Sequence, residues 1–322
     1  MNSPVQRVLI IGSNGLLGQK IAELLSLCGN YSLMLTSQEE LSVFDEGALP
    51  YARLDITRRN DVRRIVDEIE PEVIINAAAV TDVDLCENER ELAWKVNVSG
   101  VENIVYAAKL VGASVIHIST DYVFDGKNGP YDELAHPSPL GYYGKTKLAS
   151  ENVLRASGLS YTILRTMILY GSGVDVKQNF ALWLIKNLSE GKPVRVVDDQ
   201  IGNPTLVDDL AYAILKIIEL GRSGLYHVAG RDLVSRHDFA VVLSEIFDFD
   251  RKLITAVKTS TLKQLAERPM NSGFITLKAE TELGAKASGI KHGLTVLKNQ
   301  IDARSAEVAD ANSSTKRHLF PQ

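Results

Sequence analysis

A short apolar run followed at once by spaced glycines is the feature that most constrains the fold of this chain. Val8-Leu-Ile-Ile11 reads as a buried strand, and Gly12, Gly15 and Gly18 open an apolar helical pattern over residues 16–27. Glycines at such a junction let the backbone turn sharply and approach another group closely. The pattern predicts a parallel strand–helix unit with a phosphate-binding turn.

The same alternation of apolar runs and helical patterns continues to about residue 164. Continuous apolar runs are typical of strands that are covered on both faces, as in a parallel sheet. Six strand–helix units predict an α/β fold on a doubly wound parallel sheet, the Rossmann arrangement. The predicted strands are 8–11, 32–35, 52–54, 73–76, 115–119 and 161–164, and the predicted helices 16–27, 61–70, 91–111 and 143–157.

Composition excludes several classes of protein. The 322 residues are 45% hydrophobic and 23% charged, which is ordinary for a globular protein. A formal net charge of -5 argues against a nucleic-acid partner. The apolar runs are too short for a signal peptide or a membrane span, so we expect a cytoplasmic protein with no membrane contact. Cys28 and Cys86 have no C-x-x-C spacing, which indicates neither a disulfide framework nor a zinc site.

The glycine turn predicts a site for a dinucleotide cofactor. Free N–H groups at a helix start, together with the helix dipole, favour a pyrophosphate. Asp55 follows the third strand, where it suits the adenine, and the alanines after the fourth strand leave room for a cofactor. The predicted cofactor-binding residues are Gly12, Ser13, Asn14, Gly15, Leu16, Leu17, Gly18, Thr36, Ser37, Asp55, Ile56, Ala77, Ala78, Ala79, Tyr143 and Lys147.

The end of the second strand leaves the choice between NADPH and NADH open. The residues there are Thr36-Ser-Gln-Glu39. Hydroxyl groups can bind a 2′-phosphate, but no arginine is adjacent along the chain, and Glu39 can instead accept a hydrogen bond from a free 2′-hydroxyl. We expect one of these two cofactors.

The regular alternation breaks after Gly173, which predicts a second domain. We expect an NAD(P)-binding Rossmann domain of residues 1–170 plus about 205–230. A smaller, discontinuous C-terminal substrate domain would comprise about 171–204 plus 231–300. Residues 303–322 have little apolar periodicity and many small polar residues, which predicts a disordered tail.

A tyrosine and a lysine four residues apart indicate the chemistry. Tyr143 and Lys147 lie on one helix face, and Thr120 ends a strand, where ligands bind in parallel sheets. An ammonium and an oxidised nicotinamide stabilise a phenolate, so we predict that Thr120, Tyr143 and Lys147 are catalytic. Tyr212 and Lys216 repeat the spacing, but their apolar helix predicts a core tyrosine and an edge lysine.

The predicted catalytic set resembles that of the extended short-chain dehydrogenases, and longer segments resemble the dTDP-4-dehydrorhamnose reductase family. The segments are Asn76-Ala-Ala-Ala79, Ile118-Ser-Thr-Asp-Tyr-Val-Phe-Asp-Gly126, Pro130-Tyr-Asp-Glu133, Tyr143-Gly-Lys-Thr-Lys-Leu148, Asp198-Asp-Gln-Ile-Gly-Asn-Pro-Thr205 and Arg268-Pro-Met-Asn-Ser272. They occur in the family's order between residues 7 and 298.

The resemblance implies reduction of the 4-keto group of a nucleotide-linked 6-deoxy sugar, foremost dTDP-4-dehydrorhamnose to dTDP-rhamnose. It places the nucleotide of this sugar-nucleotide substrate in the second domain. The substrate-binding residues that it implies are Thr81, Thr120, Asp121, Tyr122, Met167 and Arg268.

The sequence departs from the family at the substrate cleft. Met167-Ile168 stand where the family usually has a Ser-Trp pair, and Val80 replaces a common tyrosine. The identity of the sugar is therefore open. Some relatives bind a metal through a glutamate near the first helix, but Lys20 occupies that region here, so we predict no metal.

Two other functions remain as alternatives. A sugar-nucleotide epimerase would share the fold and retain NAD tightly. A non-catalytic NADP-binding regulatory subunit, of the methionine adenosyltransferase type, would keep the cofactor pocket alone, although the intact catalytic set argues against it. The oligomeric state is open, and a homodimer is one option.

Overall fold

The apolar runs of the sequence form strands of one parallel sheet, and further short strands follow. The structure is a computed structural model that describes residues 5–45 and 47–319, with side-chain surroundings as far as residue 306. The strands are β1 (Gln6–Ile11), β2 (Tyr31–Ser37), β3 (Tyr51–Arg53), β4 (Val73–Asn76), β5 (Ser114–Thr120), β6 (Tyr161–Thr166), β7 (Leu169–Tyr170), β8 (Val194–Val197), β9 (Ile201–Gly202), β10 (Thr205–Leu206), β11 (Gly224–His227), β12 (Val234–Ser235) and β13 (Ile254–Val257).

Seven of these strands make the main sheet, in the order β11-β6-β5-β4-β1-β2-β3, with every pair parallel. Successive side chains of β1 face opposite sides: Val8 and Ile10 enter one apolar core, and Leu9 and Ile11 enter the other. Because both faces are covered, the four buried positions from Val8 to Ile11 must be apolar. The sheet confirms the predicted α/β Rossmann fold.

Helices cover both faces of the sheet. One core packs α1, α8 and α10 against it, and the other packs α2, α5 and α6. The helices are α1 (Leu16–Cys28), α2 (Arg59–Ile69), α3 (Val83–Asn88), α4 (Arg90–Trp94), α5 (Gly100–Val111), α6 (Tyr142–Arg155), α7 (Phe180–Ser189), α8 (Val207–Leu220), α9 (Arg236–Ile246), α10 (Leu277–Leu283) and α11 (Ile290–Leu319). Within the described residues, no helix combines the length and apolar character that crossing a membrane requires.

The strand order reverses at β1, which pairs with β2 on one side and β4 on the other. α1, which follows β1, and α5, which comes after β4 along the chain, lie on opposite faces of the sheet, so a crevice opens beyond the carboxyl ends of β1 and β4. The glycine turn after β1 and the alanines after β4 both line it. The sheet topology therefore predicts that a ligand binds in this crevice.

A smaller region follows β7 and builds its own core. Its short strands form three pairs: β7 with β10, β9 with β12 and β8 with β13. The apolar faces of α7, α9 and α11 pack together, with Leu184, Phe239 and Leu294 fully buried. β11 lies beside β6 at the edge of the main sheet. The two-domain division at the boundaries given above stays a prediction.

Two predicted segments differ in the structure. The helix expected over 91–111 contains a π-helical stretch at Lys95–Ser99 between α4 and α5. Where the sequence indicated a disordered tail from about residue 303, α11 continues to Leu319. Residues 303–319 contain four alanines and no glycine or proline, so they favour a helix despite their polarity. Residues 320–322 lie outside the described part of the chain.

A buried ion pair anchors α6 to the sheet. Arg165 on β6 and Glu151 on α6 are both almost fully buried and join through two hydrogen bonds of 2.7 and 2.8 Å. The Ser119 hydroxyl on β5 donates to the same carboxylate at 2.5 Å. Burial acts to raise the pKa of Glu151, but the hydrogen bond and charge of Arg165 more than offset this and lower the pKa.

Replacing Glu151 with glutamine is therefore expected to destabilise the protein strongly. The Arg165 guanidinium would remain buried without a counter-charge, which costs about 3–5 kcal/mol. Urea denaturation measures this difference. The control is Glu68→Gln on the exposed face of α2, where a surface ion pair with Arg64 contributes about 0–0.5 kcal/mol. Equal effects of the two substitutions would contradict the assigned role of the buried pair.

Candidate functional site

The glycine turn after β1 packs so closely that side chains are excluded. A Cβ atom on Gly18 would lie 2.2 Å from the Gly12 carbonyl oxygen. The first turn of α1 therefore lies directly against the end of β1. α1 begins after Gly15 with no side-chain cap, so its first N–H groups face the crevice with the positive end of the helix dipole.

Polar groups in this turn suit a pyrophosphate. Ser13 Oγ is buried and has no hydrogen-bond partner within the residues that the structure describes. Asn14 braces the turn, because its amide donates to the Leu41 carbonyl at 2.8 Å and accepts from the Val43 N–H at 3.3 Å. The residues present thus fit the predicted cofactor, with Ser13 and the helix start as donors to its phosphates. Leu17 packs into the core, so it would contact a ligand only through its backbone.

The end of β2 presents a carboxylate to the place expected for the adenosine ribose. Ser37 Oγ donates to Glu39 and lies 3.0 Å from the Tyr51 hydroxyl. Burial acts to raise the pKa of Glu39, but the hydrogen bonds from Ser37 and from the backbone lower it overall, so the group is ionised at neutral pH. Thr36 differs: its hydroxyl donates to the Ile10 carbonyl and faces the sheet.

An arginine that is distant along the chain lies at this same edge. Arg53 on β3 is paired in register with Ser37 on β2. Its guanidinium binds Glu40 and the Gln38 carbonyl, so its charge is already neutralised by a neighbour. No arginine adjoins residues 36–39 along the chain, as predicted. The fold nevertheless brings Arg53 to this edge of the sheet.

The residues predicted for the adenine and the alanine segment follow β3 and β4. The Asp55 carboxylate accepts hydrogen bonds from the Thr57 N–H and hydroxyl at 2.9 and 2.7 Å, which offset burial and lower its pKa. Ile56 is buried beside α5. The backbone of Ala77 and Ala78 lies against Gly12, on the opposite wall of the crevice from α1. Ala79 is half-buried next to them.

Thr120 and Tyr143 meet where β5 ends and α6 begins. A Cβ atom on Gly144 would lie 2.0 Å from the Tyr122 carbonyl oxygen, so only glycine permits this close approach. Tyr143 packs edge-on against the Tyr122 ring, with centroids 5.5 Å apart. Glu87 on α3 accepts a hydrogen bond from the Tyr142 N–H and so caps the start of α6.

Burial dominates the electrostatics of the predicted catalytic groups. It raises the pKa of Tyr143, although the nearby Thr120 hydroxyl acts in the opposite direction. Burial also lowers the pKa of Lys147 to about 8. The phenol is thus held in its neutral, proton-donating form, and Lys147 retains most of its charge at neutral pH.

Asp121 connects this site to the smaller region. Its carboxylate accepts hydrogen bonds from Ser272 at 2.6 Å and from Thr120 at 3.1 Å. Burial raises the pKa of Asp121 to about 6. Arg236, the first residue of α9, lies near enough for its charge to act against that rise. The structure therefore brings Ser272 and Arg236 to the site: the resemblance places Ser272, in the segment 268–272, on the second-domain side of the cleft, whereas Arg236 was not predicted.

The remaining predicted substrate residues occupy different surroundings. Thr81 is exposed in the loop before α3. Arg268 forms hydrogen bonds of 2.9 and 3.1 Å with Asp84, which tie the smaller region to α3. Met167 is buried, and its sulfur accepts a hydrogen bond from the Asn203 N–H. Contact of Thr81, Met167 and Arg268 with a substrate stays a prediction.

Two further residues support the site in ways that the sequence did not reveal. Asn97 lies in the π-helical stretch, and its Oδ1 accepts a hydrogen bond from the Val80 N–H at 2.8 Å. Its Nδ2 donates to the Val80 carbonyl at 3.0 Å and to the Thr146 hydroxyl on α6. It thereby fixes the loop after β4 relative to α6. His117 on β5 lies 3.3 Å from the Lys147 ammonium. In the sequence, a polar residue within an apolar pattern is the feature that could have indicated Asn97 and His117.

The second tyrosine and lysine pair lies elsewhere, and its predicted burial is wrong. Tyr212 is 40% exposed, and Lys216 binds Glu219 and covers the Tyr212 ring. The apolar face of α8 packs on the sheet through neighbouring residues, which leaves Tyr212 at the solvent side. α8 and α6 cover opposite faces of the sheet. Lys20, in the region considered for a metal, binds Glu23 at 2.9 Å.

Comparisons with known proteins support the resemblance over both regions. The family model for the RmlD substrate binding domain matches residues 6–302. A dTDP-4-dehydrorhamnose reductase of Aggregatibacter actinomycetemcomitans is 35% identical over 300 residues, which cover 89% of this chain and 97% of the relative. The spore coat polysaccharide biosynthesis protein SpsK of Bacillus subtilis is 30% identical over 303 residues, which cover 93% and 98%.

A solved structure is similar over the same extent. The dTDP-4-dehydrorhamnose reductase of Bacillus anthracis, in complex with NADP, shares 34% sequence identity and superposes with a TM-score of 0.81. The match covers 92% of this chain and 99% of that chain. The relationship therefore includes the cofactor crevice and the smaller region together.

Replacing Glu39 with serine is expected to favour NADPH. Removal of a carboxylate beside the ribose should raise kcat/KM for NADPH relative to NADH about tenfold, because like charges then no longer repel. Steady-state kinetics with both cofactors measure the ratio. Glu68→Ser on α2 is the control and should leave the ratio unchanged. An unaltered ratio in Glu39→Ser would show that this carboxylate does not face the ribose.

Proposed function

The chain belongs to the RmlD substrate binding domain family, and from this membership we propose that it is an NAD(P)H-dependent reductase of a nucleotide-linked keto sugar. The finer proposal is reduction of the 4-keto group of dTDP-4-dehydrorhamnose to give dTDP-rhamnose. The observation that carries the proposal is that the Thr120 hydroxyl, at the carboxyl end of β5, lies near the buried Tyr143 phenol, with Lys147 buried one turn further along α6.

The proposed reaction adds a hydride to the carbonyl carbon and a proton to its oxygen. When bound, the reduced nicotinamide supplies the hydride. Thr120 and Tyr143 both donate hydrogen bonds to the carbonyl oxygen, and the Tyr143 proton passes to that oxygen as negative charge develops. The Lys147 ammonium then stabilises the resulting phenolate. A neutral Tyr143, favoured by burial, is the form that this direction of reaction needs.

Asp121 controls the direction of the Thr120 hydroxyl. In the structure that hydroxyl donates to Asp121 and accepts from the Tyr122 N–H. Donation to a substrate oxygen requires the hydroxyl to turn away from Asp121. Protonation of Asp121 weakens the bond that holds it. Ser272 keeps the carboxylate in place from the opposite side.

The smaller region supports binding of the nucleotide part. A cavity of about 340 Å³ lies along residues 259–270 and is lined in part by Gln264, Arg268 and Met270. Gln264 Oε1 is buried there without a hydrogen-bond partner in the described residues, and such an acceptor suits the N–H of a base. Arg268 is already paired with Asp84, and Arg236, which lies near it, contributes the positive charge that favours a diphosphate.

The alternatives receive less support. An NADP-binding regulatory subunit needs no acid–base set, whereas here Tyr143 is buried near the Thr120 hydroxyl and Lys147 is buried against His117. An epimerase shares the fold but not the family membership. The sugar itself is the least constrained part of the proposal, because Met167 lies in the core and a relative named for spore coat polysaccharide matches nearly as well.

Purified protein with dTDP-4-keto-6-deoxyhexose is expected to oxidise NADPH or NADH, which the loss of reduced-nicotinamide absorbance follows. Tyr143→Phe should lower kcat about 100-fold or more, since it removes the proton donor, and should leave cofactor affinity nearly unchanged. Tyr212→Phe is the matched control and should retain wild-type turnover. Cofactor binding without any turnover in the wild type would refute the reductase and favour the regulatory alternative.

A further inference from the structure

Residues 259–270 form an irregular strap between β13 and α10. Apart from one 3₁₀ turn at Thr259–Thr261, the strap has no regular secondary structure. The cavity of about 340 Å³ is lined by strap residues, among them Leu262, Gln264 and Met270. Because every lining residue belongs to the strap, the cavity keeps its shape only while the strap keeps its conformation.

Both ends of the strap are bound to the segment around β9. At its start, the Thr259 N–H and hydroxyl donate to the Asp199 carboxylate at 3.0 and 2.6 Å, and the Gln200 amide donates to the Thr259 hydroxyl at 3.1 Å. At its end, the Met270 carbonyl accepts from the Ile201 N–H at 2.7 Å. These bonds fix the two ends and leave the middle of the strap to a different contact.

Asp84 on α3 supplies that contact. Its carboxylate accepts from the Ala266 N–H at 2.9 Å and from the Arg268 guanidinium at 3.1 and 2.9 Å. Arg268 also donates to the Ala266 carbonyl at 2.7 Å. The hydrogen bond from Arg268 is the largest cause of a lowered pKa of Asp84, so the carboxylate is ionised at neutral pH. Charge-assisted bonds to both carboxylate oxygens fix the geometry of such a pair.

α3 also fixes the helix that carries the predicted catalytic tyrosine. Glu87, one turn after Asp84, accepts from the Tyr142 N–H at the start of α6. The strap reaches the same place, because a Cβ atom on Gly141 would lie 3.5 Å from the Glu267 carbonyl oxygen. The position of the cavity relative to α6 therefore depends on contacts that both make with α3.

We propose that Asp84 is a positioning residue for the nucleotide part of the substrate, because through Ala266 and Arg268 it holds the strap in the conformation that forms the cavity. The proposal rests on the proposed function, which places a nucleotide in this cavity. In this role Arg268 serves as the partner of Asp84. A nucleotide that had to order the strap itself would bind more weakly, in proportion to the fraction of molecules whose strap is already ordered.

Asp84→Asn tests the proposal, since it keeps the shape of the side chain but removes its charge. The Kd for dTDP, measured by isothermal titration calorimetry, should rise about tenfold, and the Kd for NADPH should change less than about twofold. With the sugar nucleotide, KM should rise about tenfold while kcat stays within about twofold, a split that general destabilisation would not give. Asp67→Asn on α2 is the matched control, because Asp67 pairs with Arg63 on the surface. It should change none of these values.

A double variant shows whether Asp84 acts through Arg268. Arg268→Gln alone should weaken dTDP binding, and adding Asp84→Asn should weaken it little further, because both substitutions break the same pair. Losses that multiply would show that Asp84 acts by another route and would contradict the proposal.

Limited proteolysis reports on the strap itself. Lys263 is exposed in its middle, and trypsin cleavage after Lys263, followed by mass spectrometry, should be about fivefold faster in Asp84→Asn than in the wild type. Saturating dTDP should slow this cleavage in both proteins.

The outcomes separate the two proposals. If the wild type binds dTDP but reduces no sugar nucleotide, the proposed function fails, while a weaker binding of dTDP by Asp84→Asn still supports the role of Asp84. An unchanged Kd for dTDP in Asp84→Asn, tighter binding through a released Arg268, or an unchanged rate of cleavage after Lys263 would overturn that role. A wild type that binds no dTDP would overturn it as well.

Discussion

Burying the Lys147 ammonium one helical turn along α6 from the buried Tyr143 carries a desolvation cost, which the surrounding structure must offset. Both side chains are more than nine-tenths buried. The offsets come from several elements: His117 on β5 contacts the ammonium, and Glu151 contributes negative charge from the next turn of α6. Because Glu151 is itself fixed by Arg165 on β6, the position of the lysine depends on the register of α6 against the sheet.

The sheet topology places the remaining parts of the site around that buried pair. After β1 and after β4 the chain continues into helices on opposite faces of the sheet, which opens the crevice at the carboxyl ends of these two strands. The Gly12 turn packs against the Ala78 backbone at the ends of β1 and β4, and β5, the neighbour of β4, ends at Thr120. The smaller region contributes Ser272 to the Asp121 carboxylate. The predicted catalytic residues thus come from β5 and α6, and the second part of the chain contributes Ser272 next to Asp121.

Local patterns predicted the parts of this arrangement that depend on neighbouring residues. The apolar run before Gly12 and the Tyr143–Lys147 spacing each lie within one strand–helix unit, so periodicity and turn chemistry predicted their positions. Contacts between distant segments could not be read in this way: Asp121 meets Ser272 across 151 residues, and Arg53 reaches Ser37 only through strand pairing. Tyr212 was misjudged because an apolar helix can leave one aromatic residue at its exposed edge.

The transfer of label from a reduced cofactor with deuterium at both C4 positions of its dihydronicotinamide ring tests the central claim most directly. With dTDP-4-keto-6-deoxyhexose as substrate, the account predicts deuterium at C4 of the product sugar, in an amount equal to the cofactor oxidised. Cofactor oxidation without label at that carbon, or conversion of the sugar without net cofactor oxidation, would contradict a reductase built on Thr120, Tyr143 and Lys147.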